Sequence, residues 1–143
     1  MARGNNNTLL SPLHLLHRAG QRADYLFAHH VGSHVFTPRQ FAVLQAVSNA
    51  DGLSQTAIMQ ATGIDRSGTA ELVRRLVASG LLQRRRTKED ARVYAVRLTP
   101  RGRKMLAIGE RASRAAGFQL LSSIPSRQRA TFIAALASII KAT

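Results

Sequence analysis

The densest chemistry in this chain is cationic. Between Gln83 and Lys104 stand Arg84, Arg85, Arg86, Lys88, Arg92, Arg97, Arg101, Arg103 and Lys104, opposed only by Glu89 and Asp90. Those 22 residues hold half of the chain's formal net charge of +14, which comes from 21 Lys and Arg against 7 Asp and Glu in 143 residues. A charge so concentrated is a patch aimed at a polyanion, with nucleic acid ahead of an acidic membrane surface. Enzyme chemistry finds no comparable footing. The carboxylates are few and only Glu89 and Asp90 are adjacent, there is no glycine-rich phosphate loop, and no nucleophile stands with a base and an acid. No catalytic residue and no cofactor is expected.

Cysteine is absent, which excludes disulfides, thiolate zinc sites and thiol redox sensing within this chain. Five histidines, His14, His17, His29, His30 and His34, crowd the first quarter, and His14 with His17 are one helical turn apart. Only Asp24 accompanies them, so they are expected as surface or pocket histidines, with a zinc-sensing regulator as an alternative and no metal ligand assigned. No run approaches 18 consecutive apolar residues and no secretory leader is visible, so a cytoplasmic protein without a membrane partner is expected.

The basic patch needs elements to position it. Ser11-Pro12 starts a helix of about 20 residues with Leu13, Leu16, Gly20, Ala23 and Phe27 at helical spacing, ended at Gly32. Thr37-Pro38-Arg39-Gln40 is a second start with the makings of a capping box, followed by Phe41, Leu44 and Val47. Ser54 caps a short helix carrying Ile58 and Met59, Thr62-Gly63 turns the chain, and Asp65 caps the next helix, whose inner face is Leu72, Val73, Leu76 and Val77. Two strands follow over Leu81–Thr87 and Val93–Leu98, with a charged loop between them. Thr99-Pro100 opens a long helix with small residues at Ala107, Ala112 and Ala116, interrupted at Ile124-Pro125. A last helix carries the stripe Phe132, Ile133, Leu136, Ile139 and Ile140. Helix, turn, helix and a basic hairpin make a winged DNA-binding unit, in which the second helix enters the major groove. The terminal helices carry more apolar surface than that unit needs, which predicts a symmetric dimer.

Three segments now line up. Gly80-Leu81-Leu82-Gln83-Arg84, Asp90-Ala91-Arg92 and Leu98-Thr99-Pro100-Arg101-Gly102 resemble, in order and spacing, the strand opening, wing tip and wing exit of the MarR family of bacterial transcription regulators, and the resemblance covers Leu13 to Ala142. It implies a mainly α (α+β) fold: one domain over 1–143, with a winged helix-turn-helix module at 37–103 and dimerisation helices at 11–32 and 104–143. It also implies a homodimer on a pseudo-palindromic operator in double-stranded DNA, responsive to a small molecule and acting as a repressor. A constitutive nucleoid-like DNA-binding protein is the other alternative. Two residues depart from the family pattern, Gly68 and Glu71, and both bear on base reading.

For DNA, Arg66, Ser67, Thr69, Ala70 and Arg74 are placed to meet base edges, since arginine matches guanine and small apolar groups match the thymine methyl. Glu71 can accept from cytosine N4 or pair with Arg75 at i, i+4, and the pair is the expected reading. Ser54, Gln55 and Thr56 are candidate phosphate donors at a helix start, Ser54 doubling as a cap. Arg84, Arg86 and Lys88 are expected on the DNA backbone, and Arg92, held by Asp90, in the minor groove. The family's ligand crevice brings His14, Arg18, Tyr25, Phe36, Arg39 and Phe41 into consideration, aromatic walls and cations suited to an aromatic carboxylate or its coenzyme A thioester. Core packing is the plain alternative for Phe36 and Phe41.

Overall fold

The computed structural model describes residues 11–50, 52–87 and 94–141. The elements run α1 (Pro12–Val31), α2 (Pro38–Ser48), α3 (Gln55–Thr62), α4 (Arg66–Ala78), β1 (Leu82–Arg86), β2 (Tyr94–Leu98), α5 (Pro100–Ser122) and α6 (Ser126–Lys141). Each of the first five helices begins where a hydroxyl or carboxylate meets an unpaired amide. Ser11 accepts from the His14 amide, Ser54 from Ala57, Asp65 from Gly68 and Thr99 from Gly102. Thr37 and Gln40 complete the capping box, with the Gln40 amide donating to Thr37 Oγ1 at 3.2 Å and the Thr37 amide to Gln40 Oε1 at 3.0 Å. Such a cap stabilises a helix by about 1 kcal/mol, enough to fix where each helix begins. The short α3 is closed by Gly63 at φ 74°, a left-handed cap that spares a side chain the steric cost.

β1 and β2 pair antiparallel with Leu82 opposite Leu98 and Arg86 opposite Tyr94, β1 being one residue shorter at each end than its sequence signal. A third short edge was not foreseen. Leu53 exchanges both backbone hydrogen bonds with Val96, at 3.0 and 2.8 Å, and so ties the loop before α3 to the wing. Leu53 sits amid Gly, Ser and Asp, so it has no alternating pattern of its own.

The core draws Val43, Leu44, Val47, Ile58, Val73, Leu76, Leu82 and Val96 from the winged unit and closes over Phe27, Val31, Leu106 and Ala112 from α1 and α5. Gly109 decides how closely α5 approaches: a Cβ there would fall 2.9 Å from Phe36 Cε1 and closer still to Phe41. The small-residue face of α5 is Gly102, Gly109, Ala112 and Ala116, whereas the expected Ala107 faces outward. On α4 the inner face is Thr69, Val73 and Leu76, with Leu72 and Val77 only half-buried.

The two ends of the chain behave differently. The C-terminal part of α1 enters the core through Leu26, Phe27 and Val31, but Leu13, Leu15 and Leu16 remain exposed. α6 buries no residue at all, and Phe132, Ile133, Ile139 and Ile140 face outward. Leu13, Leu15, Leu16, Phe132, Leu136 and Ile139 line one apolar groove between α1 and α6.

Candidate nucleic-acid interface

α3 and α4 meet across Gly63-Ile64-Asp65. Thr62 holds the turn by donating its hydroxyl to the Ile58 carbonyl at 2.8 Å and accepting from the Ile64 amide at 3.3 Å. The turn sets α4 with one side against the core and the other in solvent. Arg66, Ser67, Glu71, Arg74 and Arg75 lie on the outer side, and Ala70 is half-buried at its margin.

Thr69 corrects the expectation. It is 0% exposed, and its hydroxyl donates to the Ile64 carbonyl at 3.3 Å. A base edge cannot reach it in this arrangement. Its position, four residues before Val73 and seven before Leu76, belongs to the inward stripe, and a hydroxyl is tolerated there because the Ile64 carbonyl, just ahead of the cap, accepts it.

The outer face is more tightly organised than expected. Glu71 pairs with Arg75, whose Nε donates at 2.8 Å, and also takes a two-pronged contact from Arg74, Nε at 2.9 Å and Nη2 at 2.7 Å. The hydrogen bonds from Arg74 and then Arg75 lower the Glu71 carboxyl from 4.5 to about 2, and Glu71 in turn raises Arg74. Planar forks of this kind hold geometry more than they add stability when exposed. Arg74, expected at a base edge, is therefore held across the helix surface with Arg75, a residue foreseen only as an ion-pair partner.

Ser54 caps α3 by accepting from the Ala57 amide at 3.1 Å; beside it Gln55 is half-buried and Thr56 exposed. In the wing Arg84, Arg85 and Arg86 are exposed, and the Arg86 guanidinium lies over the Tyr94 ring, 5.7 Å from its centroid. That contact stiffens a long side chain near the hairpin end, and Tyr94 is a wing residue the sequence reading passed over. Lys88, Asp90 and Arg92 lie outside the described residues. The wing is fastened to the rest by Thr99, which caps α5 through the Gly102 amide at 3.0 Å and donates its hydroxyl to the Gly80 carbonyl at 2.5 Å.

The six residues considered for a ligand are not brought to one place in the single chain. Phe36 and Phe41 are core residues, packed edge to face at 6.3 Å between centroids. Tyr25 points outward, stacked with His29 and carrying Arg22 over its ring. Arg18 is exposed and His14 half-buried in the first turn of α1, about 16 Å of helix rise from Tyr25. Arg39 is exposed beside the start of α4. Periodicity gave no warning, because it separates inner from outer faces without saying which outer faces converge. Among the histidines, His30 shares a 3.0 Å hydrogen bond with Gln119 of α5. Among the described residues no three His, Asp or Glu side chains gather as a metal site would need, and no helix is long and apolar enough to cross a membrane.

A sequence profile described as MarR family matches residues 36–93, which take in α2, α3, α4 and β1. The chain is 30% identical to PcaV of Streptomyces coelicolor, a transcriptional regulator whose structure was solved with its natural ligand, with a TM-score of 0.85 over 94% of this chain and 95% of that one. The chain belongs to the MarR family. Two further MarR-fold structures are similar. One is the transcriptional repressor CouR bound to a 23-mer DNA duplex, 28% identical with a TM-score of 0.86 over 95% and 96% of the two chains. The other is BpsR of Bordetella bronchiseptica, whose DNA binding is regulated by 6-hydroxynicotinic acid, 25% identical with a TM-score of 0.84 over 94% and 96%. The match spans about 60% of the length of the curated relatives first met.

Proposed function

We propose that this MarR-family chain is a ligand-responsive, sequence-specific DNA-binding transcription regulator, acting as a repressor and as a homodimer on a pseudo-palindromic operator. The observation that carries the reading is the pairing of two outer surfaces. α4 presents Arg66, Ser67, Arg74 and Arg75 to solvent while Val73 and Leu76 lock it to the core, and the strand beside it presents three consecutive arginines. α4 would lie in the major groove, with Arg66 and Ser67 at base edges and the Glu71-held arginines on or near the backbone. The wing would follow the adjacent minor groove, with Arg92 inserted and steadied by Asp90. CouR, alike in fold and bound to a duplex, supports this arrangement.

The bare apolar faces of α1 and α6 support the homodimer. Leu13 at 66% and Ile140 at 76% exposure are costly to leave in water, and a second copy offers the same faces for a self-complementary seal. Two recognition helices would then meet half-sites one helical turn apart. An effector that favours a dimer with a different helix spacing weakens operator binding by its differential affinity alone. An aromatic carboxylate or its coenzyme A thioester is the effector class, supported by the aromatic acid that regulates BpsR. Its crevice would form from both copies, which is how the scattered Arg18, His14 and Tyr25 could still contribute.

The test is a titration at fixed salt of the DNA upstream of the chain's own gene against scrambled DNA of equal length. A specific regulator prefers the former by 10³-fold or more in order of magnitude. Equal affinities would leave only a nucleoid-like role.

A further inference from the structure

Gly68 stands in the first turn of the recognition helix, where most side chains would favour the helix more. Its surroundings give the reason. A Cβ at this position would lie 2.7 Å from Asp65 Oδ1, 3.0 Å from Ile64 Cγ2 and 3.2 Å from Arg39 Nη2. The first two neighbours belong to the cap and turn of α4 itself, but the third arrives from another helix. Arg39 is the second residue of α2, and its guanidinium lies across the opening turn of α4 in the space a side chain at 68 would narrow.

Asp65, whose carboxylate borders the same space, does not engage it. Asp65 is occupied with the Gly68 amide at 2.6 Å and the Ser67 hydroxyl at 3.4 Å. Arg39 has neither a hydrogen bond nor an ion pair among the described residues. It is exposed, as are Arg66 and Ser67 on the adjoining turn. An unpaired guanidinium laid against the recognition helix, on the side that faces solvent, matches the planar oxygens of a phosphate diester.

We propose that Arg39 is a DNA-backbone contact supplied by α2, and that Gly68 is bare so that this guanidinium can lie over the start of α4. Arg39 is thereby moved from the effector crevice to the nucleic-acid surface. Its role is to fix the angle at which α4 enters the groove, because a phosphate gripped from α2 anchors the helix start from outside the helix. The proposal rests on the DNA-binding reading above.

The experiment measures binding of fluorescent upstream and scrambled duplexes over a series of salt concentrations, for the full chain and for Arg39→Ala and Arg39→Lys. Arg39→Ala should weaken binding to both duplexes by a similar factor, about tenfold at low salt, and reduce the log-log salt slope by about one. Arg39→Lys should keep the slope, since it keeps the charge, and both variants should melt at the parent temperature. An unchanged affinity and slope in Arg39→Ala overturns the proposal. So does a loss of affinity accompanied by a lower melting temperature with no change of slope, which would make Arg39 a packing residue. If the unaltered chain binds neither duplex, the DNA-binding reading falls and this one with it; if it binds while Arg39→Ala matches it throughout, only the Arg39 assignment falls.

Discussion

The winged unit and the terminal helices use the same apolar residue types to opposite ends. In the first, Leu44, Ile58 and Val73 are each 0% exposed, walled by α2, α3, α4 and the wing. In the second, α6 carries a stripe just as apolar and buries none of it. In one region the apolar stripes are covered within a single copy, and in the other they are left bare. The contrast teaches that an amphipathic stripe reports the need for cover but not its source.

The largest expected effect falls on the covered region. Leu44→Ala should cost about 2–5 kcal/mol of unfolding free energy in denaturant melts, because the surrounding walls cannot collapse into the space. A loss under about 1 kcal/mol would mean that the core is looser than its burial indicates. The bare region should respond in a different observable. Ile139→Asp combined with Phe132→Asp should raise the dissociation constant of the proposed dimer in sedimentation by at least about tenfold, a change of about 1.4 kcal/mol, while the winged unit keeps its circular dichroism. A dimer of undiminished strength would break the comparison and send the search for the interface elsewhere.

The smallest effect belongs to the outer face of α4. The Glu71 carboxyl is lowered from 4.5 to about 2 by Arg74 and then Arg75. A depressed folded value means that the paired state is fully present above pH 4.5 and is lost as the pH falls toward 2. The Glu71 carboxyl carbon resonance should therefore titrate near 2 and move back toward 4.5 in Arg74→Ala. An unmoved midpoint would show that Arg74 is not its principal partner.

Much of this architecture is legible in the residues. Five caps, from Ser11 to Thr99, start their helices where the hydroxyl or carboxylate falls, since capping is decided within four residues of sequence. The hairpin and the Glu71–Arg75 pair are equally local. What escaped reading is contact between elements. Thr69 looks like a groove-facing hydroxyl until the inward stripe of α4 takes it. Leu53 has no strand pattern and becomes one by meeting Val96. Phe36 and Phe41 look as suited to a ligand wall as to a core, and the bareness of Gly109 decides for the core by letting α5 come close.

By itself, then, the sequence determined the order and ends of the helices, the basic hairpin and its kinship with MarR regulators, because caps, turns, charge runs and short motifs act over a few residues. Only the tertiary structure decided that Thr69 is sealed and that Arg39 of α2 lies over Gly68 of α4. Those outcomes depend on how closely separate helices pack, and packing distance is a property that no single stretch of chain carries.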